Sequence, residues 1–178
     1  MICGIDEAGR GCIAGQMVVA GVVLTHPVDG LMDSKKLSET KREALYEQIV
    51  QNSQYKIIQF SAQEIDNKGI SKCINEALRS IKDYFSDREI LFDGNSSFGV
   101  EGINTMVKAD TKIAEVSAAS ILAKVTRDRD INAYALEYPH YRFEKHKGYL
   151  TKAHKEVLLE HGYTPIHRRS FKVKGMNA

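Results

Sequence analysis

Four acidic residues sit where apolar runs stop. Asp6 and Glu7 follow Met1–Ile5, Asp93 follows Ile90-Leu91-Phe92, and Asp110 precedes a long helical stretch. Adjacent residues on a strand point to opposite faces, so one of Asp6 and Glu7 faces inward if the strand runs that far. An inward carboxylate is unfavourable unless it is paired or bound to a metal. Asp93 can be a turn residue or an acid just past the carboxyl end of a central strand, where α/β sheets place their sites. Asp110 can cap the helix that follows it. Taken together, carboxylates without His or Cys are hard oxygen ligands suited to Mg²⁺ or Mn²⁺. Two such ions ~3.5–4 Å apart activate water and stabilise a leaving oxygen in phosphodiester cleavage. Ala8-Gly9-Arg10-Gly11 adds flexible backbone for close approach to a ligand and an arginine that forks onto phosphate.

The elements that must position these groups are legible as periodic segments. Met17–Leu24 is Val-rich without strict alternation, as in a strand covered on both faces. Tyr55–Phe60, Glu89–Phe92 and Gly102–Val107 read as further strands. Ser38 is placed to cap a helix running to about Val50. Ser71 is placed to cap another, whose Ile74, Ala77, Leu78, Ile81 and Phe85 share one stripe. A long helix from Ile113 to about Tyr134 carries Ala118, Ala119, Ser120 and Ala123, small enough for close contact with a sheet, and a last helix spans Thr151–His161. Strands first, alternation next and helices last predict an α/β fold with helices on a mixed sheet.

Composition narrows the class. The chain has 178 residues, 43% hydrophobic and 27% charged, which fits one globular domain and excludes global disorder. Residues 140–178 hold nine Lys and Arg against three Asp and Glu, so a basic end suggests a polyanionic partner. Three cysteines without a CxxC predict a reduced, intracellular protein. The longest apolar run has eight residues, and no leader pattern precedes Asp6, so a cytoplasmic domain with no membrane role is expected.

Six motifs in order then carry a resemblance: Gly4-Ile5-Asp6-Glu7-Ala8-Gly9-Arg10-Gly11, Asp33-Ser34-Lys35-Lys36-Leu37-Ser38, Asp93-Gly94, Lys108-Ala109-Asp110, Ser117 to Asp128, and His146-Lys147-Gly148-Tyr149. In this the chain resembles bacterial ribonuclease HII. The resemblance implies an RNase H-like fold, a five-stranded mixed sheet flanked by helices, as one catalytic domain over 1–178. Roughly 138–178 would be a basic helical C-terminal extension. It implies endonucleolytic cleavage of RNA hybridised to DNA, or of ribonucleotides embedded in duplex DNA, leaving 5′-phosphate and 3′-hydroxyl ends. The family's metal-binding acids map onto Asp6, Glu7, Asp93 and Asp110. Its element for sensing the ribose 2′-hydroxyl maps onto Gly9, Arg10 and Gly11, and its junction-stacking tyrosine onto Tyr149. Lys35 and Lys36 are read as phosphate contacts, and a monomer is expected. Lys124, Arg127 and Asp128 read as helix-surface ion pairs, His146 as a phosphate contact or a structural residue, and Arg168, Arg169, Lys172 and Lys174 as a duplex-binding or disordered tail. A noncatalytic nucleic-acid-binding module on the same fold also fits the charge asymmetry, but needs no set of four acids.

Overall fold

A computed structural model describes residues 1–31 and 37–176. Its sheet is built from β1 (Ile2–Ala8), β2 (Met17–Leu24), β3 (Ser53–Phe60), β4 (Glu89–Asp93) and β5 (Ile103–Met106). They lie in the order β3-β2-β1-β4-β5, with β1 antiparallel to β2 and parallel to β4. The first strand does not stop at Ile5. It continues through both acids, pairing Asp6 with Ala20 and Glu7 with Val19.

The helices are α1 (Glu39–Gln51), α2 (Ala62–Lys68), α3 (Ile70–Tyr84), α4 (Ala114–Glu137), α5 (Phe143–His146) and α6 (Lys152–His161). β2 shows why its sequence lacks alternation. Met17, Val19 and Val23 face the core built on α3, while Val18, Ala20 and Val22 face α4 and α1. On β1, Cys3 and Ile5 point to the α3 side, which leaves Gly4 and Asp6 on the α4 side. A Cβ on Gly4 would lie 2.3 Å from the backbone nitrogen of Val116, so glycine is what lets α4 lie directly on the strand.

Two expected caps lie elsewhere. Asp110 does not cap α4; it sits in a 3₁₀ turn, Ala109–Thr111, and the cap position is Ile113. Ser71 does not cap α3, because α2 precedes it and Gly69, at φ +82°, makes the junction. Ser61 and Glu64 form a capping box that starts α2. Ser38 does cap α1, accepting from the Lys41 N–H, and Thr151 caps α6 through His154 N–H. Among the described residues, no helix is long and apolar enough to cross a membrane.

The C-terminal region is helical through α6 and then runs back over the body of the protein. Arg168, expected in an exposed tail, is fully buried, and its backbone N–H donates to Ile13 O at 2.7 Å. The flanking His167 bridges to Ala14 as a short β-pair.

Candidate active site

Strand register brings the first two acids together. Ile5 and Phe92 are partners on parallel neighbours, so the next residues, Asp6 and Asp93, lie side by side at the carboxyl end of β4, both still within their strands. The 3₁₀ turn then folds Asp110 over Asp93. The Asp110 N–H donates to Asp93 Oδ2 at 3.1 Å and the Lys108 N–H to Asp93 Oδ1 at 3.0 Å. Asp6, Asp93 and Asp110 each offer a carboxylate oxygen, all within 4.8 Å of one another. Glu7 is outside that triad but electrically part of it.

Burial is the main force on these groups. It pushes the Asp6 carboxyl up to about 8, and the neighbouring Glu7 charge adds to the shift. Hydrogen bonds from Ser120 and the Glu7 N–H, the latter at 2.8 Å, work against it. Glu7 is raised by burial too, opposed by Arg10, whose Nη1 lies 3.7 Å from Oε1. Its other oxygen, Oε2, is buried without a hydrogen-bond partner. Burial likewise raises Asp93, helped by the carboxyl of Asp110 and opposed by its N–H. Crowding and desolvation thus work against the charged form of Asp6, Glu7 and Asp93, and a bound cation would work for it.

Beside the acids lies a cleft of ≈ 280 Å³ lined by Glu7, Gly9, Arg10, Gly11, Ser120 and Tyr149, with Lys124, Arg127 and Asp128 completing its wall. A larger cavity of ≈ 420 Å³, lined by Arg79, Lys82 and Glu101 among others, contains none of the four acids. Gly9 adopts φ +83°, and a Cβ there would meet Arg127 Nε at 2.1 Å. Only glycine fits. Gly11 faces open space, and the exposed Arg10 guanidinium rests 5.1 Å from the centre of the Phe98 ring. Tyr149 is 52% exposed at the cleft wall. It follows two left-handed residues, Lys147 at φ 50° and Gly148 at φ 84°.

The residue 3–174 segment matches the family model for ribonuclease HII. The chain is 60% identical over 176 residues to the ribonuclease HII of a Sulfurovum species, covering 99% of this chain and 94% of that protein. The chain belongs to the ribonuclease HII family. It is 53% identical to the ribonuclease HII of Campylobacter jejuni subsp. doylei over 97% of its length and 91% of that protein. A ribonuclease HII from Archaeoglobus fulgidus, solved in complex with PCNA, superposes with a TM-score of 0.82 at 30% identity, covering 95% of this chain and 92% of that one. The chain is therefore a ribonuclease H, a nuclease, and the RNase H-like sheet expected from its motifs is the one it has.

The ribonuclease HII motifs place the other candidates unevenly. Lys35 and Lys36 lie outside the described residues. Lys124 does pair with Asp128, at 3.2 Å, but Asp128 is buried. Arg127 is no surface residue. It is 3% exposed and donates to the carbonyls of Gln16, Ala14 and Lys147. The half-buried His146 is held by the protein itself: its ring stacks on His154 with centroids 4.0 Å apart, and its Nδ1 accepts from the Gly148 N–H. Sequence reasoning missed Phe98 as the support for Arg10, a contact that nothing in the local pattern signals.

Proposed function

We propose that this ribonuclease H cleaves the RNA strand of RNA–DNA hybrids and single ribonucleotides embedded in duplex DNA, by a two-metal hydrolysis. The observation that carries this reading is the triad of carboxylate oxygens within 4.8 Å beside a cleft walled by Gly9, Arg10, Gly11 and Tyr149. The donor set fits a hard divalent cation. It is all oxygen, it is desolvated, and the buried Glu7 Oε2 has no other partner. Asp6, Glu7, Asp93 and Asp110 would hold the metal. Bound Mg²⁺ or Mn²⁺ supplies a water nucleophile at neutral pH and neutralises charge on the leaving oxygen.

The remaining work falls to the chain itself. Asp93 is fixed by two backbone N–H groups, so its oxygens do not rotate away from Asp6. Ser120 orients Asp6 from the first turns of α4. The Gly9–Gly11 turn brings bare backbone to the cleft, which is what recognition of a ribose 2′-hydroxyl requires. Tyr149 presents a ring to the deoxyribose at an RNA–DNA junction, and Lys124 presents a cation to phosphate.

The test is cleavage of end-labelled duplexes carrying one ribonucleotide or a long RNA tract, each with Mg²⁺, Mn²⁺ or EDTA. The reading expects metal-dependent cutting of both at the RNA. Cutting in EDTA would remove the metal, and an intact single-ribonucleotide duplex would remove the junction role.

A further inference from the structure

The two loops that wall the cleft are both held from behind by two consecutive residues of the C-terminal segment. Arg168 is buried completely. Its Nε and Nη2 donate to Gly15 O at 3.1 and 2.9 Å, and its Nη1 donates to Arg10 O at 3.1 Å. The guanidinium has no carboxylate in hydrogen-bonding reach among these contacts; its acceptors are carbonyls of the loop joining β1 to β2. An arginine is buried at such expense only where its fork matches acceptors in fixed positions.

His167 reaches the other loop through a relay whose proton order is inferred from the hydrogen-bond network. The Thr164 N–H donates to His167 Nδ1 at 2.9 Å, so the His167 proton is on Nε2. That nitrogen lies 3.0 Å from His154 Nε2, which must accept. The His154 proton is therefore on Nδ1, donated at 2.9 Å to the carbonyl of Tyr149. The segment itself is pinned to α2, where Asp66 accepts from the N–H groups of Arg169 and Ser170 at 2.9 and 3.0 Å. The loops are also tied to each other, since Ile13 and Ala14 both donate to Gly148 O.

We propose that His167 and Arg168 are positioning residues: they set the Gly9–Gly11 turn and the Tyr149 loop at one mutual geometry, and thereby set how strongly the enzyme favours an isolated ribonucleotide over an RNA tract. The proposal rests on the reading that these loops recognise substrate. The segment expected to act as a basic tail acts instead as a clasp.

Arg168→Lys keeps the charge but cannot bridge Gly15 and Arg10 together. Asp66→Ala releases the anchor at the surface and empties no part of the core. Each is compared with wild type for kcat/KM on a single-ribonucleotide duplex and on a long hybrid, with melting curves and the Mg²⁺ half-saturation for cleavage alongside. The expected result for Arg168→Lys is a loss at least tenfold larger on the single-ribonucleotide duplex than on the hybrid. Asp66→Ala should show about a threefold difference in the same direction, and the Mg²⁺ half-saturation should stay within twofold in both. Equal losses on the two substrates, or none, in both variants would make the segment merely structural and overturn the proposal; if Arg168→Lys does not fold, Asp66→Ala alone decides. Tyr149→Ala separates the underlying reading. An unchanged substrate ratio there overturns the loop's role, whereas a changed ratio there with unchanged ratios in the other two overturns the clasp alone.

Discussion

Replacing Asp6 by Asn should make the metal-free protein more stable while removing its activity. In the folded chain burial and Glu7 hold the Asp6 carboxyl near 8, whereas an unfolded aspartate titrates near ~3.9. Between these values the folded state keeps a proton that the unfolded state has released. Stability therefore falls as pH rises from about 4 to 8. At pH 7 that penalty is about 4 kcal/mol as a ceiling, taking three units at about 1.4 kcal/mol each. Asparagine carries no such proton and keeps an oxygen for the Glu7 N–H, so the expected gain is about 1–3 kcal/mol. The assay is urea unfolding in EDTA at pH 5, 7 and 8, with and without saturating Mg²⁺. The variant should be more stable at pH 7 and 8 and nearly equal at pH 5. Adding Mg²⁺ should reverse the order, because only the wild type then binds the ion at full strength. Turnover of the variant should be undetectable. A variant less stable than wild type in EDTA at pH 8 would refute the claim that Asp6 is held at an electrostatic cost for the sake of a cation.

Three further outcomes follow from the same geometry. Tyr149→Ala should leave the melting temperature within a few degrees, since the ring is half exposed, and should lose more activity on a single-ribonucleotide duplex than on a hybrid; a large drop in melting temperature would make it a core residue. Gly4→Ala should cost about 3 kcal/mol or more, because its Cβ would meet the backbone of Glu115 and Val116 within 2.4 Å and α4 would have to move off β1; a urea midpoint unchanged from wild type would refute this packing. Burial holds His154 at about 4 and His167 at about 3, so the folded chain refuses protons that the unfolded chain takes up below ~6.5. Each of these histidines should therefore lower stability by about 2 kcal/mol between pH 7 and pH 5, measured as the difference in pH dependence between the wild type and a His154→Gln/His167→Gln double variant in which the raised carboxyls act equally; identical pH dependence of the two would show the histidines are not kept neutral.

The strands and the long helices were legible because their apolar runs and stripes are local. α2 was missed although Ser61 and Glu64 spell a capping box, since seven residues with only Ala62 and Ile65 buried give little periodicity. The four acids were found as acids at element ends, but the meeting of Asp6, Asp93 and Asp110 was not legible, because it depends on β1 and β4 pairing in parallel with Ile5 opposite Phe92. Asp110 read as a helix cap since aspartate is common there, and only the 3₁₀ turn shows that its backbone serves Asp93 instead. Arg127 and Arg168 were misplaced on the surface for a physical reason. Arginine is rarely buried, and what receives these two is a set of loop carbonyls, most of them more than a hundred residues away in sequence.

We propose that the carboxylate site cleaves RNA by directing water at the phosphate, reading the 2′-hydroxyl without using it as the nucleophile. The most direct measurement is end-group analysis of a single-ribonucleotide duplex cleaved in ¹⁸O-labelled water with Mg²⁺. Attack by water on the phosphate gives 3′-hydroxyl ends and one ¹⁸O atom in each new 5′-phosphate. A 2′,3′-cyclic phosphate, or a 5′-phosphate without the label, would contradict it.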